Sequence, residues 1–132
     1  MNDILLYETG NGGDVVIRGN EIVTVEGIEN MPYLSMFGGK SWWGNYLIPD
    51  SPFLCVTEEL LNNTALNSAG RMAIEKAVKQ DLAFLDDIDG TTYSVDVSIL
   101  QPKKVSIYIT INGKKFELQW NPDTLFLTYI VL

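Results

Sequence analysis

Asn112-Gly113 lies between two runs that alternate apolar and polar residues, Val105 to Ile111 and Lys114 to Trp120. A two-residue Asn-Gly connection calls for a type I′ turn, because both central positions need positive φ and these two residues tolerate it. The turn sets the pairing. With Ile111 opposite Lys114, Ile109 meets Phe116, Ile107 meets Leu118 and Val105 meets Trp120 on one face. Thr110 with Lys115, Tyr108 with Glu117 and Ser106 with Gln119 share the other. A slip of one residue would turn every apolar side chain to water, so the register is strongly specified: one face is core and the other is wet.

The segment before this hairpin has the same period of two. Tyr93, Val95, Val97 and Ile99 alternate with Ser94, Asp96 and Ser98, and Gln101-Pro102-Lys103 reads as the turn into the next strand. Upstream the period changes to that of a helix, expected from about Ser68 to Leu85. Ile74, Ala77, Val78, Leu82 and Leu85 share one face, and Arg71, Glu75 and Lys79 form i,i+4 pairs on another. Thr57 is expected to cap a shorter helix with Glu58 and Glu59 in its first turn, where the helix dipole favours negative charge. Asn62, Asn63 and Asn67 are expected to weaken that helix towards its end.

At the start of the chain, Ile4 to Tyr7 read as a strand and Gly10-Asn11-Gly12-Gly13 as a turn. Asp14 to Ile17 and Ile22 to Val25 flank Arg18-Gly19-Asn20-Glu21, a hairpin signal. Thr24 is expected to cap a helix reaching Phe37, on the helical spacing of Ile28, Met31, Leu34 and Phe37, with Gly38-Gly39 as its stop. From Lys40 to Phe53 the pattern is lost. No repeat or linker divides the chain, so the expectation is one α+β domain over residues 1–132: an N-terminal β-hairpin, two to three helices and a C-terminal antiparallel sheet.

The residue inventory narrows the chemistry. There is no His among the 132 residues, which excludes Ser-His-Asp and Cys-His nucleophilic sites. Cys55 is the only cysteine, so no intrachain disulfide forms and a zinc site would rest on one thiol and carboxylates. Asp86-Asp87-Ile88-Asp89-Gly90 fails as a calcium loop, because counting back from Gly90 puts Leu85 where the first acidic ligand belongs. The glycines from Gly10 to Gly13 precede a strand-like segment and offer no helix N-terminus to an anion. No catalytic, cofactor-binding or metal residue is therefore assigned, and the expectation is a protein that catalyses nothing. The formal net charge of −8, with two Arg, disfavours nucleic acid and favours a basic partner. The first residues lack the pattern of a signal peptide, and the apolar C-terminal run is shorter than a membrane span, so the chain is expected to stay in the compartment where it is made.

Contact features lie in three places. Trp42 and Trp43, in the irregular segment, are either core plugs or interface anchors. Lys103-Lys104 and Lys114-Lys115 fall at the two ends of one strand of the hairpin, either as a small acid-binding patch or, as Lys at strand ends more commonly does, to keep the chain soluble and guard a sheet edge. In the last segment Leu125, Leu127, Tyr129 and Val131 alternate with Phe126, Ile130 and Leu132, so both faces are apolar except at Thr128. Such a strand needs cover on both sides, from an inner place in its own sheet or from a partner, and residues 121–132 are the candidate partner-binding strand. Proline at Thr128 is expected to remove a ladder donor and to weaken assembly more than folding.

The order of features resembles a known family. An early hairpin at Gly19-Asn20 is followed by Thr24-Val-Glu-Gly-Ile-Glu29, Ser41-Trp-Trp-Gly-Asn45, Thr57-Glu-Glu59, a long helix and terminal strands. This resembles the Mu-like phage baseplate proteins, relatives of the wedge protein that initiates the contractile sheath. The likeness runs from about Asn2 to Trp120 and is most specific at Trp42-Trp43-Gly44-Asn45, where the family form is Trp-Trp-Gly-Asp. Asn45 departs from it, and the wider group's Glu-Pro-Arg motif is missing. The resemblance implies a structural subunit of the virion tail baseplate, made in the host cytoplasm and present in several copies. Its implied partners are wedge proteins and the sheath protein, joined by β-strand augmentation, with no nucleic acid, membrane or cofactor. The alternative from composition is a small acidic binding or inhibitor protein that masks a basic partner.

Overall fold

The computed structural model describes residues 2–8, 13–26, 30–37, 43–52, 54–100, 104–123 and 126–131. The chain forms an α+β fold. Its frame is a four-stranded antiparallel sheet of β7 (Tyr93–Leu100), β8 (Lys104–Ile111), β9 (Lys114–Asn121) and β10 (Phe126–Val131), in the order β10-β9-β8-β7. Asn112 and Gly113 both have positive φ, 51° and 82°, and the pairing runs from Ile111 with Lys114 to Val105 with Trp120. The register expected from the turn is the one formed.

The apolar face of this sheet is the floor of the core. Val97, Val105, Ile107, Ile109, Ile111, Phe116, Leu118 and Trp120 are buried there against α1 (Met31–Phe37), α2 (Thr57–Asn63) and α3 (Ser68–Asp81). Their alternation with polar residues puts all of them on one side, which suits a sheet covered by helices on one face. Ile74, Ala77 and Val78 of α3 are buried as the helical period requires, and Leu82 and Leu85 continue the same stripe. Glu75 bridges Arg71 and Lys79 on the outer face, at 3.3 and 3.0 Å.

Helix ends depart from the sequence reading in instructive ways. Asn67 lies outside the shorter helix and is the N-cap of α3, its Oδ1 accepting from the Gly70 amide at 2.9 Å. α3 stops at Asp81, and a 3-10 turn from Ala83 to Asp87 carries Leu85 into the core. Thr57 does not cap α2. The Asp81 carboxylate, at the far end of α3, instead accepts from the amides of Val56 at 2.9 and 3.1 Å and of Thr57 at 2.9 Å. A cap delivered from another helix also fixes how the two pack, and this one satisfies donors that a helix start otherwise leaves open.

The N-terminal strands do more than form a hairpin. Residues 24–26 are strand β6 (Thr24–Glu26), not the start of a helix, because the β-branched Thr24 and Val25 pair with β1 (Asn2–Ile4). The helix begins only at Met31, with Pro32 in its first turn, and it is rotated from the expected face: Tyr33 and Met36 point inward while Leu34 is exposed. The strand expected from Ile4 to Tyr7 is broken at Leu5, after which β2 (Leu6–Glu8) pairs with β3 (Gly13–Val15). β4 (Ile17–Arg18) and β5 (Glu21–Ile22) form a hairpin whose turn, Gly19-Asn20, has φ of 56° and 66°.

Three bends meet at one point. The Leu5 amide donates to Val23, the Val23 amide to Val16 and the Val16 amide to Leu5, at 3.0, 2.9 and 3.1 Å. This closed ring lets each strand change partners without leaving an amide unpaired. Buried Asn30 fastens the ring to α1. Its Nδ2 donates to the Ile4 carbonyl at 2.6 Å and to Asp3 at 3.0 Å, and its own carbonyl accepts from Leu34 at the start of the helix.

Gly70 is the tightest backbone approach in the helical layer, since a Cβ there would collide with the Ala65 carbonyl oxygen. Gly70→Ala is expected to lower stability by about 1–3 kcal/mol, despite alanine's better helix propensity, as read from the urea midpoint.

Candidate interaction surface

The residues singled out in sequence belong to two segments of the chain, 42–43 and 125–131. Trp42 and Leu125 lie outside the described residues. Trp43 opens a short 3-10 helix, Trp43–Leu47, so the irregular segment contains one turn of local order. Leu127, Tyr129 and Val131 lie on β10 and pair with Trp120, Leu118 and Phe116 of β9. The C-terminal segment is thus an edge strand of its own sheet. Among the described residues no strand pairs with its other side, and it also approaches β2.

The alternation of hydrogen bonding decides which way the β10 backbone points. In a two-residue hairpin the residues flanking the turn form a hydrogen-bonded pair, so Lys114, Phe116, Leu118 and Trp120 direct their backbone groups to β8. Lys115, Glu117, Gln119 and Asn121 then direct theirs to β10. Thr128, opposite Gln119, has its N–H towards β9, and proline there would remove a bond inside the sheet, not an outward one. This corrects the expectation that such a variant weakens assembly more than folding. The lysines are also differently placed than an edge guard would be. Lys104, Lys114 and Lys115 belong to the two central strands, and Lys103 lies outside the described residues.

The face of the sheet opposite the helices carries a polar network. Ser106 is fully buried, and its hydroxyl donates to Glu117 Oε1 at 2.7 Å, while Gln119 Nε2 donates to the same oxygen at 2.8 Å. The Gln119 bond, then the Ser106 bond, holds the Glu117 carboxyl below its usual 4.5, against a smaller opposing effect of burial. A Tyr108 hydrogen bond and the charge of Lys104 act in the same direction. At the end of the sheet, burial raises the Tyr93 hydroxyl above its usual value and the neighbouring Asp86 carboxylate adds to the effect, the two groups lying 3.4 Å apart.

Two exposed apolar groups were not singled out in sequence. Tyr46 and Leu47, in the same short 3-10 helix as Trp43, are 90% and 74% exposed, with Ile48 and Leu54 also open to solvent. Ile17 and Ile22 face each other across the β4–β5 hairpin and are both exposed. The absence of helical period between Pro49 and the Trp pair was a signal for the first group. Nothing in a two-residue strand marks the second.

Among the described residues no three potential metal ligands come together, and no helix is long and apolar enough to cross a membrane. No family model matches the chain, no curated protein matches it and no solved structure matches it.

Glu117 is the group whose ionisation is most tied to this face. Its depressed folded-state value means that its stabilisation is present above the unfolded pKa and is lost as pH falls through the folded one. Glu117→Gln is expected to be less stable than the parent at neutral pH, with the gap narrowing as pH falls below the ordinary carboxylate range, as measured by urea unfolding of both chains at each pH.

Proposed function

We propose that the protein is a structural subunit of a contractile phage tail baseplate, joining wedge proteins to the first sheath ring by β-strand augmentation. The observation that carries the reading is the C-terminal sheet, whose helices cover one face and whose two outer strands, β7 and β10, each pair on one side only among the described residues. A sheet with a fixed register and an open edge can be extended by a partner's strand, with main-chain hydrogen bonds giving affinity and alternate side chains giving register. The order of hairpin, Trp-Trp-Gly-Asn segment, capped helices and terminal strands adds to it, as does the lack of any His for acid–base chemistry.

Exposed apolar side chains at Tyr46, Leu47 and Ile48 fit the same role, since a subunit held between two kinds of neighbour needs more than one contact surface. The charge of −8 gives such contacts a preference for basic surfaces.

Co-expression of the tagged chain with the proteins encoded beside it, followed by electron microscopy, tests the reading. Recovery of wedge or sheath proteins in a ring is the expected outcome. Recovery of the chain alone, or in a salt-sensitive one-to-one complex with a soluble basic protein, would replace the baseplate with an acidic inhibitor.

A further inference from the structure

The two edges of the sheet are not equivalent. β10 approaches β2, whereas β7 pairs with β8 and no described strand pairs with its outer side. The Asn112 amide donates to the Thr92 carbonyl at 2.9 Å, which fixes the phase of bonding along β7. Ser94, Asp96 and Ser98 therefore turn their backbone groups to β8, and those of Tyr93, Val95, Val97 and Ile99 face outward. This edge is eight residues long, its register with β8 is unbroken, and it contains neither Pro nor Lys. Edges that must stay unpaired normally carry such guards or a bulge.

The chemistry beside the edge is one-sided. Asp86, Asp87 and Asp89 precede β7 and Asp96 lies at its middle, all four exposed, and no Lys or Arg occurs between Lys79 and Lys103. On the face of the strand opposite Asp96, where the Tyr93 hydroxyl meets Asp86, Tyr93, Val95 and Ile99 remain half-buried, so an added strand would complete their cover. A second copy of the chain is a poor occupant. Two molecules of charge −8 repel, and antiparallel self-pairing about the strand's centre would bring Asp96 close to its own counterpart.

We propose that the outer edge of β7 receives an extended, lysine- or arginine-bearing segment of a partner protein as an additional strand, its cations over Asp96 and its apolar residues over Val95 and Ile99. This rests on the reading of the sheet as the docking element, and names which edge docks and what it takes.

The test uses the full chain, isotopically labelled, titrated with a capped peptide of alternating Lys and Val matched in length to β7. The amides of Tyr93, Val95, Val97 and Ile99 are expected to gain at least roughly tenfold protection from exchange, with shift changes centred on β7. Asp96→Lys, on the exposed face, should weaken the peptide roughly tenfold without unfolding the chain, and Val95→Pro should abolish the added protection. No binding at about millimolar peptide, protection at β10 instead, diffuse binding without protection, or dimerisation of the free chain through β7 would each overturn the assignment. The assembly experiment separates the two failures. If wild-type chain forms no ring while the peptide still protects β7, the baseplate reading falls and the edge stands; if Val95→Pro assembles as wild type does, the edge falls and the baseplate stands.

Discussion

The type I′ turn at Asn112-Gly113 is the constraint on which the remaining structure depends. It fixes β8 against β9, and Asn112 extends the same control to β7 by exchanging two bonds with Thr92: its amide donates to the Thr92 carbonyl and its Oδ1 accepts from the Thr92 amide, both at 2.9 Å. One residue thus ties three strands in register. Once that is set, Ile107, Ile109, Phe116 and Leu118 have a single face available, and the helices have a single surface to cover.

The helical layer and the N-terminal strands are then fastened by polar groups placed at their ends. Asp81 closes α3 and caps α2 together, and Asn30 holds the bend of the first strand to the start of α1. Each satisfies backbone groups at a junction where regular secondary structure leaves them open, and in doing so selects one arrangement of the joined elements. The opposite face of the sheet keeps its polar network, and both outer strands are left at the margin of the fold, where a structural subunit would be expected to meet its neighbours.

What the sequence made legible followed from strict periodicity. The hairpin register, β7 and the buried stripe of α3 were all readable because alternation or helical spacing ran for two turns or more with a turn signal nearby. The misreadings came from residues whose partners are distant in sequence. Thr24 and Val25 pair with Asp3 and Ile4, and the cap of α2 comes from Asp81, so no local window contained the deciding contact. The candidate site divides in the same way. The apolar character of the last strand was visible, but its place at a sheet edge, and the direction of each of its amides, depended on counting bonds outward from the Asn112-Gly113 turn across β9. The open edge of β7 was invisible, since alternation looks the same in a central strand and an edge strand.

Amide hydrogen exchange of the free chain, resolved residue by residue, tests the central claim most directly. The account predicts the slowest exchange in β8 and β9, and an alternating pattern in β7 with Ser94, Asp96 and Ser98 protected and Tyr93, Val95, Val97 and Ile99 exchanging faster. Uniform protection along β7 would contradict it, because the edge would then be closed within the chain and no partner strand could be received there.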